Sequence, residues 1–499
     1  MGGGITQLVL KGQMDSYINL KPCINYYKYV YNKHVNFSME NKREDPENNS
    51  SINLRLPKAT SNKLMTFTLK RYGDLVSNIY LSFNLPDIYS TDVHRFRWVN
   101  NVGHNFIKTA TVRIEGTTIE EIYGEWMNIW NELTNKDGVE YNKLIGNIPE
   151  YISPNNNNSR YVIKNNILYN KIYPSKDKIL NAGNPSINGR IIQVPLNFWF
   201  TRNPSLSLPL YKIQNQEIKI DIELNDIEKL YQVWCDKLKL YVSPDFFNTI
   251  YGLTLSNNNA ITIENFIADE CYIQSYLDIN YIFLDSTYRL NSLQNEGIVK
   301  YVVDYVKKQP SKTISIKSSG GTVILEYAYN HIKEIIWVLR RSDIPEKFNI
   351  HDNYTASHIY NETMGLLESA QIKWADTIIR EDQKAYYYNN IQPYQYHTNV
   401  PRTGIYSYSF SLFPEKIITA GSFNNQMTKT SLYFNINNIG NSIKDITKRS
   451  EYKYLFELMR RNSVAYIKEE EVNLDVIVYA RVINVFSVIN GECNLIWNR

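Results

Sequence analysis

Cysteine is nearly missing from this chain: Cys23, Cys235, Cys271 and Cys493 are far apart and form no CxxC pair. They read as reduced core thiols, which argues against a disulfide framework and fits synthesis in the cytosol. No apolar run reaches the ~18 residues of a membrane span, and no basic-then-apolar leader precedes the first strands. The expectation is a protein neither secreted nor membrane-spanning. Charge of one sign is lacking too. The 54 Lys and Arg against 50 Asp and Glu give +4, with no long basic run, whereas a nucleic-acid binder concentrates cations to displace phosphate counterions. Direct sequence-specific nucleic-acid binding is therefore not expected.

Residues for chemistry are equally thin. The seven histidines are His34, His94, His104, His331, His351, His358 and His397, and no pair is two or four residues apart. A metal centre needs two or three converging imidazoles and usually a carboxylate. The nearest pair, His351 and His358, falls in a predicted loop. No G-x-S-x-G occurs. The stretch Lys317 to Thr322 looks like a phosphate loop only in its letters, because it joins the strands ISIK and VILEY as a hairpin turn and opens no helix. Glu120 and Glu121 are neighbours in a strand and so face opposite ways. No catalytic, cofactor-binding or metal residue is assigned, no cofactor is expected, and the chain is not read as an enzyme.

Strand-forming aromatics are what the chain has instead: 40 Tyr beside 18 Phe and 8 Trp, in 499 residues that are 43% hydrophobic. That supports real cores, and the length suits two all-β domains. The alternative reading of the tyrosine excess is an A/T-rich genome, which would inflate Tyr, Asn, Ile and Lys together. The most telling stretch is Pro393 to Asn425. From Ile405 to Phe413 it alternates strictly, Tyr406, Tyr408, Phe410 and Leu412 on one side, Ser407, Ser409 and Ser411 on the other. This is a half-buried antiparallel strand, opened by Gly404 and closed by Pro414. A face of small hydroxyls implies close contact with something else. Leu432, Phe434 and Ile436 form a second alternating run beyond a loop at Ala420 to Ser422.

Other segments agree. Tyr27, Tyr29 and Tyr31 share one strand face. Leu64 to Lys70 and Val76 to Leu85 read as strands. Thr111 to Glu115 and Thr118 to Tyr123 flank Gly116-Thr117 as a hairpin. Trp126, Ile129, Trp130 and Leu133 then fall at helical spacing, a short amphipathic helix on the sheet. Ile218, Ile220, Ile222 and Leu224 alternate cleanly. Asp236 to Ser243 should end a first domain, Pro244 to Asn265 link the two, and Cys271 to Asp285 open the second. Ile324 to Arg341, Ser369 to Arg380 and Leu474 to Val488 supply further strands. Asn41 to Lys63, Asn135 to Asn188 and Ser342 to Met364 read as long loops.

Ordered motifs run through these segments: QLV, G-x-x-D-x-Y and P-x-I-x-x-YK within Gln7–Val35; the hairpin and tryptophan helix of Trp98–Trp130; PL-x-FWF-x-R-x-P and LPL-x-x-x-Q-x-x-E within Val194–Leu224; NHIKEIIWVLRR in Asn330–Arg341; PYQ-x-H-T and GIYSYSF-x-L-x-PE within Pro393–Asn425. In this order they resemble the major capsid proteins of nucleocytoplasmic large DNA viruses. The resemblance implies an all-β fold of two consecutive eight-stranded antiparallel jelly rolls, with short helices and long loops. It implies an N-terminal segment (1–25) on the capsid-interior side, a first jelly roll (26–244), a linker (245–265) and a second jelly roll (266–499). It further implies homotrimers of pseudo-hexameric outline tiling an icosahedral shell. The partners are then neighbouring trimers, minor capsid and penton proteins, and an internal membrane beneath the shell. The location is the virion, after synthesis and assembly in the host cytoplasm. The long loops are expected to rise outward.

Two departures concern loops: Leu284 to Asn291 lacks a basic cluster, and IKWADTIIRED lacks an Asn-Gly turn before its Arg. Alternatives are a poxvirus-type assembly scaffold of the same fold, or a jelly-roll carbohydrate-binding protein or metal enzyme. Met1 to Thr6 also satisfies the loose myristoylation pattern, although a flexible glycine lead-in accounts for the same letters. Asn-x-Ser/Thr sequons at Asn36, Asn353 and Asn361 are read as chance in an Asn-rich chain.

Overall fold

The strand order of this chain occurs twice. The computed structural model describes residues 34–47, 52–53, 63–90, 95–135, 138–154, 185–253, 260–267, 272–295, 298–315, 318–325, 331–374, 377–417, 420–425, 430–437 and 473–496. The first set of main strands is β1 (Phe37–Glu44), β2 (Leu64–Thr68), β3 (Leu75–Leu85), β4 (Ile107–Ile114), β5 (Thr117–Tyr123), β6 (Arg190–Pro195), β7 (Ile218–Leu224) and β8 (Ser275–Leu284). They form two sheets, β1-β8-β3-β6 and β2-β7-β4-β5. The second set is β9 (Ile298–Lys308), β10 (Gly320–Leu325), β11 (His331–Arg341), β12 (Leu367–Trp374), β13 (Thr377–Lys384), β14 (Ile405–Ser409), β15 (Thr430–Ile436) and β16 (Asn473–Ile489). Its sheets are β9-β16-β11-β14 and β10-β15-β12-β13. In both sets the first, eighth, third and sixth strands make one sheet and the second, seventh, fourth and fifth the other. All these pairings are antiparallel. This is a double jelly roll. A duplication invisible residue by residue is explicit in the topology.

Local chemistry explains the elements. In β7, Ile218, Ile220, Ile222 and Leu224 are buried in the first core. The β4–β5 hairpin turns on Glu115 and Gly116, with φ of 47° and 77°, the two positive values a two-residue type I′ turn needs. The turn thus lies one residue earlier than the sequence suggested. Gly404 opens β14 at φ +108°, and a Cβ there would lie 2.6 Å from the Tyr354 carbonyl oxygen, so no other residue fits.

Several expectations are corrected. Ser275–Leu284, expected to open the second domain, pairs with β3 and β1 and completes the first jelly roll. Alternation marks a strand but not its partner. The expected linker lies inside the connection from β7 to β8, and contains a helix, Pro244–Tyr251, with Ser243 as its N-cap. A further helix, Ser286–Asn295, stands between β8 and β9. β1 extends into the predicted loop at Asn41. Asp236 to Ser243 contributes only the strand Leu240–Val242, to a small sheet with Tyr231–Cys235 and Phe96–Trp98. The Lys317–Thr322 region connects strands as expected but is no hairpin: the strand before it, Lys312–Ser315, pairs with β16, while β10 pairs with β15 in the other sheet. The strand read from Ile405 to Phe413 ends at Ser409.

The loop Ser342 to Met364, expected to rise outward, is largely buried. It starts with a short helix, Asp343–Phe348. Asn349 then donates to the Tyr231 carbonyl at 2.8 Å, and Thr355 donates to Asn353 at 2.7 Å. Polar residues bury when each finds a partner. The N-terminal segment, the tyrosine face at Tyr27 to Tyr31, Cys23, Cys271, His94 and most of Asn135–Asn188 lie outside the described residues.

Candidate functional site: the seam between the two jelly rolls

The second jelly roll's β9-β16-β11-β14 sheet has one face turned to its own core and the other to the first jelly roll. Tyr406 and Tyr408 of β14 face inward, Tyr406 against Trp337 and Tyr408 against Tyr388. Ser407 and Ser409 stand opposite Ile336 and Glu334 on the other face. The serine face therefore lies on the seam side of the sheet, but its hydrogen bonds stay within the second jelly roll: the Ser409 N–H donates to Gln392 Oε1 and the Ser409 hydroxyl to the Ser411 carbonyl.

The first jelly roll contributes the helix α1 (Gly124–Thr134) and the connection after β6. α1 packs on its own sheet as expected, against β4 and β5, and in addition carries Trp126 across to Tyr479 of β16, with ring centroids 5.2 Å apart. The Arg481 guanidinium lies 4.4 Å from the centre of the Trp130 ring, and Trp199 packs on Phe486 at 4.9 Å. The two acids of α1 also reach across. Glu125 accepts from Arg340 at 2.8 Å and from the Tyr479 hydroxyl at 3.1 Å. Glu132 accepts from Arg402 Nε at 2.9 Å, and the same guanidinium reaches Asp352 at 3.1 Å.

At the centre lies a buried group of eight ionisable side chains. Arg202 pairs with Glu120 at 3.2 Å and with Asp304 at 3.1 Å, so one guanidinium spans the seam from the first jelly roll to β9. Lys333 meets Asp304 at 3.0 Å. Arg481 pairs with Asp304 and, at 3.1 Å, with Glu334. His397 Nε2 approaches Glu334 at 3.1 Å, off the hydrogen-bond line, and its Nδ1 is 3.2 Å from Glu415. Four carboxylates face Arg202, Lys333, Arg481 and His397, so with all four ionised the group is neutral only when His397 is protonated. Burial opposes that proton, but Glu334 and Glu415 outweigh it and raise His397 to about 9. Burial also works against ionising Asp304, yet Arg481, Arg202 and Lys333 hold it at about 2. Glu120 is the exception, pushed up to about 7 mainly by burial.

Stability should therefore depend on pH. His397 is raised in the folded state from its ordinary value of 6.5 to about 9. Its contribution is complete below pH 6.5 and is lost as pH rises towards 9, on the order of 3 kcal/mol. Thermal unfolding followed by circular dichroism from pH 6 to 9.5 should show a falling midpoint. His397→Gln should flatten that fall; an identical slope in both proteins would refute the assignment.

The remaining histidines do not converge. His104 is buried, with Nδ1 2.8 Å from Asn128 Oδ1 and Nε2 2.9 Å from the Tyr141 hydroxyl, and burial lowers it to about 4. His351 Nε2 donates to the Lys229 carbonyl, and His331 Nδ1 lies 3.1 Å from Ser422 Oγ. Among the described residues no three His, Cys, Asp or Glu could hold a metal ion, and no helix is long and apolar enough to cross a membrane. Glu120 and Glu121 do face opposite ways, Glu120 into the seam and Glu121 accepting from the Tyr123 hydroxyl at 2.7 Å.

Two jelly rolls fixed side by side through a buried seam define the double jelly-roll class of shell-building proteins. A family model described as major capsid protein N-terminus matches residues 25–285, and one described as large eukaryotic DNA virus major capsid protein matches residues 292–493. The chain belongs to this major capsid protein family of large eukaryotic DNA viruses. It is a structural protein of the virion and not an enzyme. It is 26% identical to probable capsid protein 4 of Acanthamoeba polyphaga mimivirus, over 83% of this chain and 88% of that one. The major capsid protein of Phaeocystis pouchetii virus is 25% identical, over 85% and 91%. Among solved structures, VP54 of PBCV-1 superposes with a TM-score of 0.65 at 18% identity, covering 95% of this chain and all of that one. The Faustovirus major capsid protein gives 0.61 at 12% identity, covering 95% and 94%.

Proposed function

We propose that three copies of this chain close into a ring of six jelly rolls, and that these capsomers tile the flat facets of an icosahedral shell. One contrast in burial carries the reading. In the second jelly roll β11 and β16 are buried along nearly their whole length, on both faces, because the seam covers the outer one. In the first jelly roll the equivalent strand β8 alternates between buried and partly open, and β3 is open to solvent at Asn78 and Asn84. Their outer face is uncovered, with Phe37 and Met39 of β1 52% and 63% exposed.

The complement is also open. The first jelly roll makes the seam with the connections that leave β5 and β6; the equivalents after β13 and β14 in the second carry exposed Tyr386, Tyr394, Leu412 and Phe413. Repeating the internal seam between copies would cover both surfaces. Such a head-to-tail contact closes into a ring when its rotation divides a full turn.

Neighbouring capsomers, minor capsid and penton proteins, and a lipid layer beneath the shell are the partners this reading implies. Assembly in the host cytoplasm fits the buried, unbridged Cys235 and Cys493. Negative-stain images of the purified protein should show three-fold rings with six lobes; two-lobed single particles would overturn the proposal.

A further inference from the structure

A cavity of about 370 Å³ lies between the two jelly rolls, at the end where the long connections gather. Its wall comes from the β3–β4, β5–β6 and β7–β8 connections of the first and the β11–β12 and β13–β14 connections of the second. This is within the size range of small-ligand sites and too small for a folded partner.

Its charges are unequal in one respect. Arg402, at one side, is neutralised by Glu132 and Asp352. Arg97, at the other, has no carboxylate partner among the described residues. Its Nε donates to Gln232 Oε1, and the Gln232 amide is itself fixed by donating to the Phe348 carbonyl. The guanidinium carbon sits 4.1 Å from the centre of the Tyr241 ring, so one face is covered. The two terminal nitrogens, the prongs of the fork, make no hydrogen bond to any described residue. Burial works against its charge. A partly buried guanidinium held by its Nε and stacked on one face is preorganised for a planar, two-pronged anion. Trp234, Phe348, Ile359 and Tyr360 supply apolar and aromatic lining of the same cavity, Tyr360 against Arg402.

We propose that this cavity is a binding site for a small carboxylate carried on a single ring, with Arg97 clasping the carboxylate and the aromatic wall enclosing the ring. The position at the loop-bearing end, between domains already locked by the seam, makes it a preformed site that needs no closure.

The test is calorimetric titration of the full-length protein with glucuronate and with benzoate, one polar and one apolar ring acid, with glucose as the neutral control. Saturable binding of either acid but not of glucose is expected, and which acid binds tells whether the ring is polar. Arg97→Gln should weaken it about tenfold or more, as loss of a charge-assisted pair does. Arg97→Lys, which keeps the charge but not the fork, should also weaken it and serves if the Gln variant does not fold. Absence of binding by both acids, equal binding of glucose, or unchanged affinity in the Arg97 variants would overturn the proposal.

Discussion

Replacing Arg481 with methionine is expected to destabilise the protein by about 3–5 kcal/mol, the usual result of removing one partner from a buried ionic group. Arg481 is 1% exposed, and it touches both Asp304 and Glu334. Without it, Glu334 keeps only His397, and Asp304 keeps Arg202 and Lys333. The methionine fills much of the volume, so the loss reports charge more than cavity. Arg481→Lys should fall between the two, because it restores a cation but not the two-pronged contact. Thermal or denaturant unfolding at one fixed chain concentration is the measurement, since association would otherwise shift the midpoint. A methionine variant as stable as the parent would mean that the network contributes nothing to holding the two jelly rolls together.

Aspartates at Phe37 and Met39 should separate the capsomer into single folded chains. Both side chains are on the uncovered face of β1 and are exposed within one chain, so the fold itself should change by no more than about 0.5 kcal/mol. Between copies the account buries them. Losing two such side chains from an interface costs about 4 kcal/mol, roughly a thousandfold in association. Tyr394→Asp, on the opposite surface, should act alike, since it is 80% exposed in the single chain. Circular dichroism should be unchanged in both variants while the assembly is lost. Variants that still assemble would place the contact elsewhere.

Much of the fold is legible in the sequence, and the reason differs from element to element. The aromatic and serine faces of β14 can be read because alternation fixes which residues share a side. The helix at Trp126 is legible from spacing alone. That it also reaches across the seam is not: Glu125 and Glu132, seven residues apart and so on one face of the helix, are the available sign that it meets charged partners as well. The buried charges have a signal too. Lys333 and Glu334 interrupt a long apolar run in HIKEIIWVLRR, and Arg481 stands alone in VIVYARVINVF. A strand covered on both faces reads as continuous hydrophobic sequence, and a charge inside one must be paired. Pairing across distance cannot be read in this way. Ser275–Leu284 alternates well, but nothing local says that it closes the first jelly roll. Nor does the polar sequence of Ser342–Met364 reveal that its side chains satisfy one another beneath the surface.

The mass of the purified protein by sedimentation velocity at micromolar concentration is the most direct test of the account. The expected species is a discrete one at three times the 58.5 kDa chain. A single species at 58.5 kDa across all concentrations would contradict it.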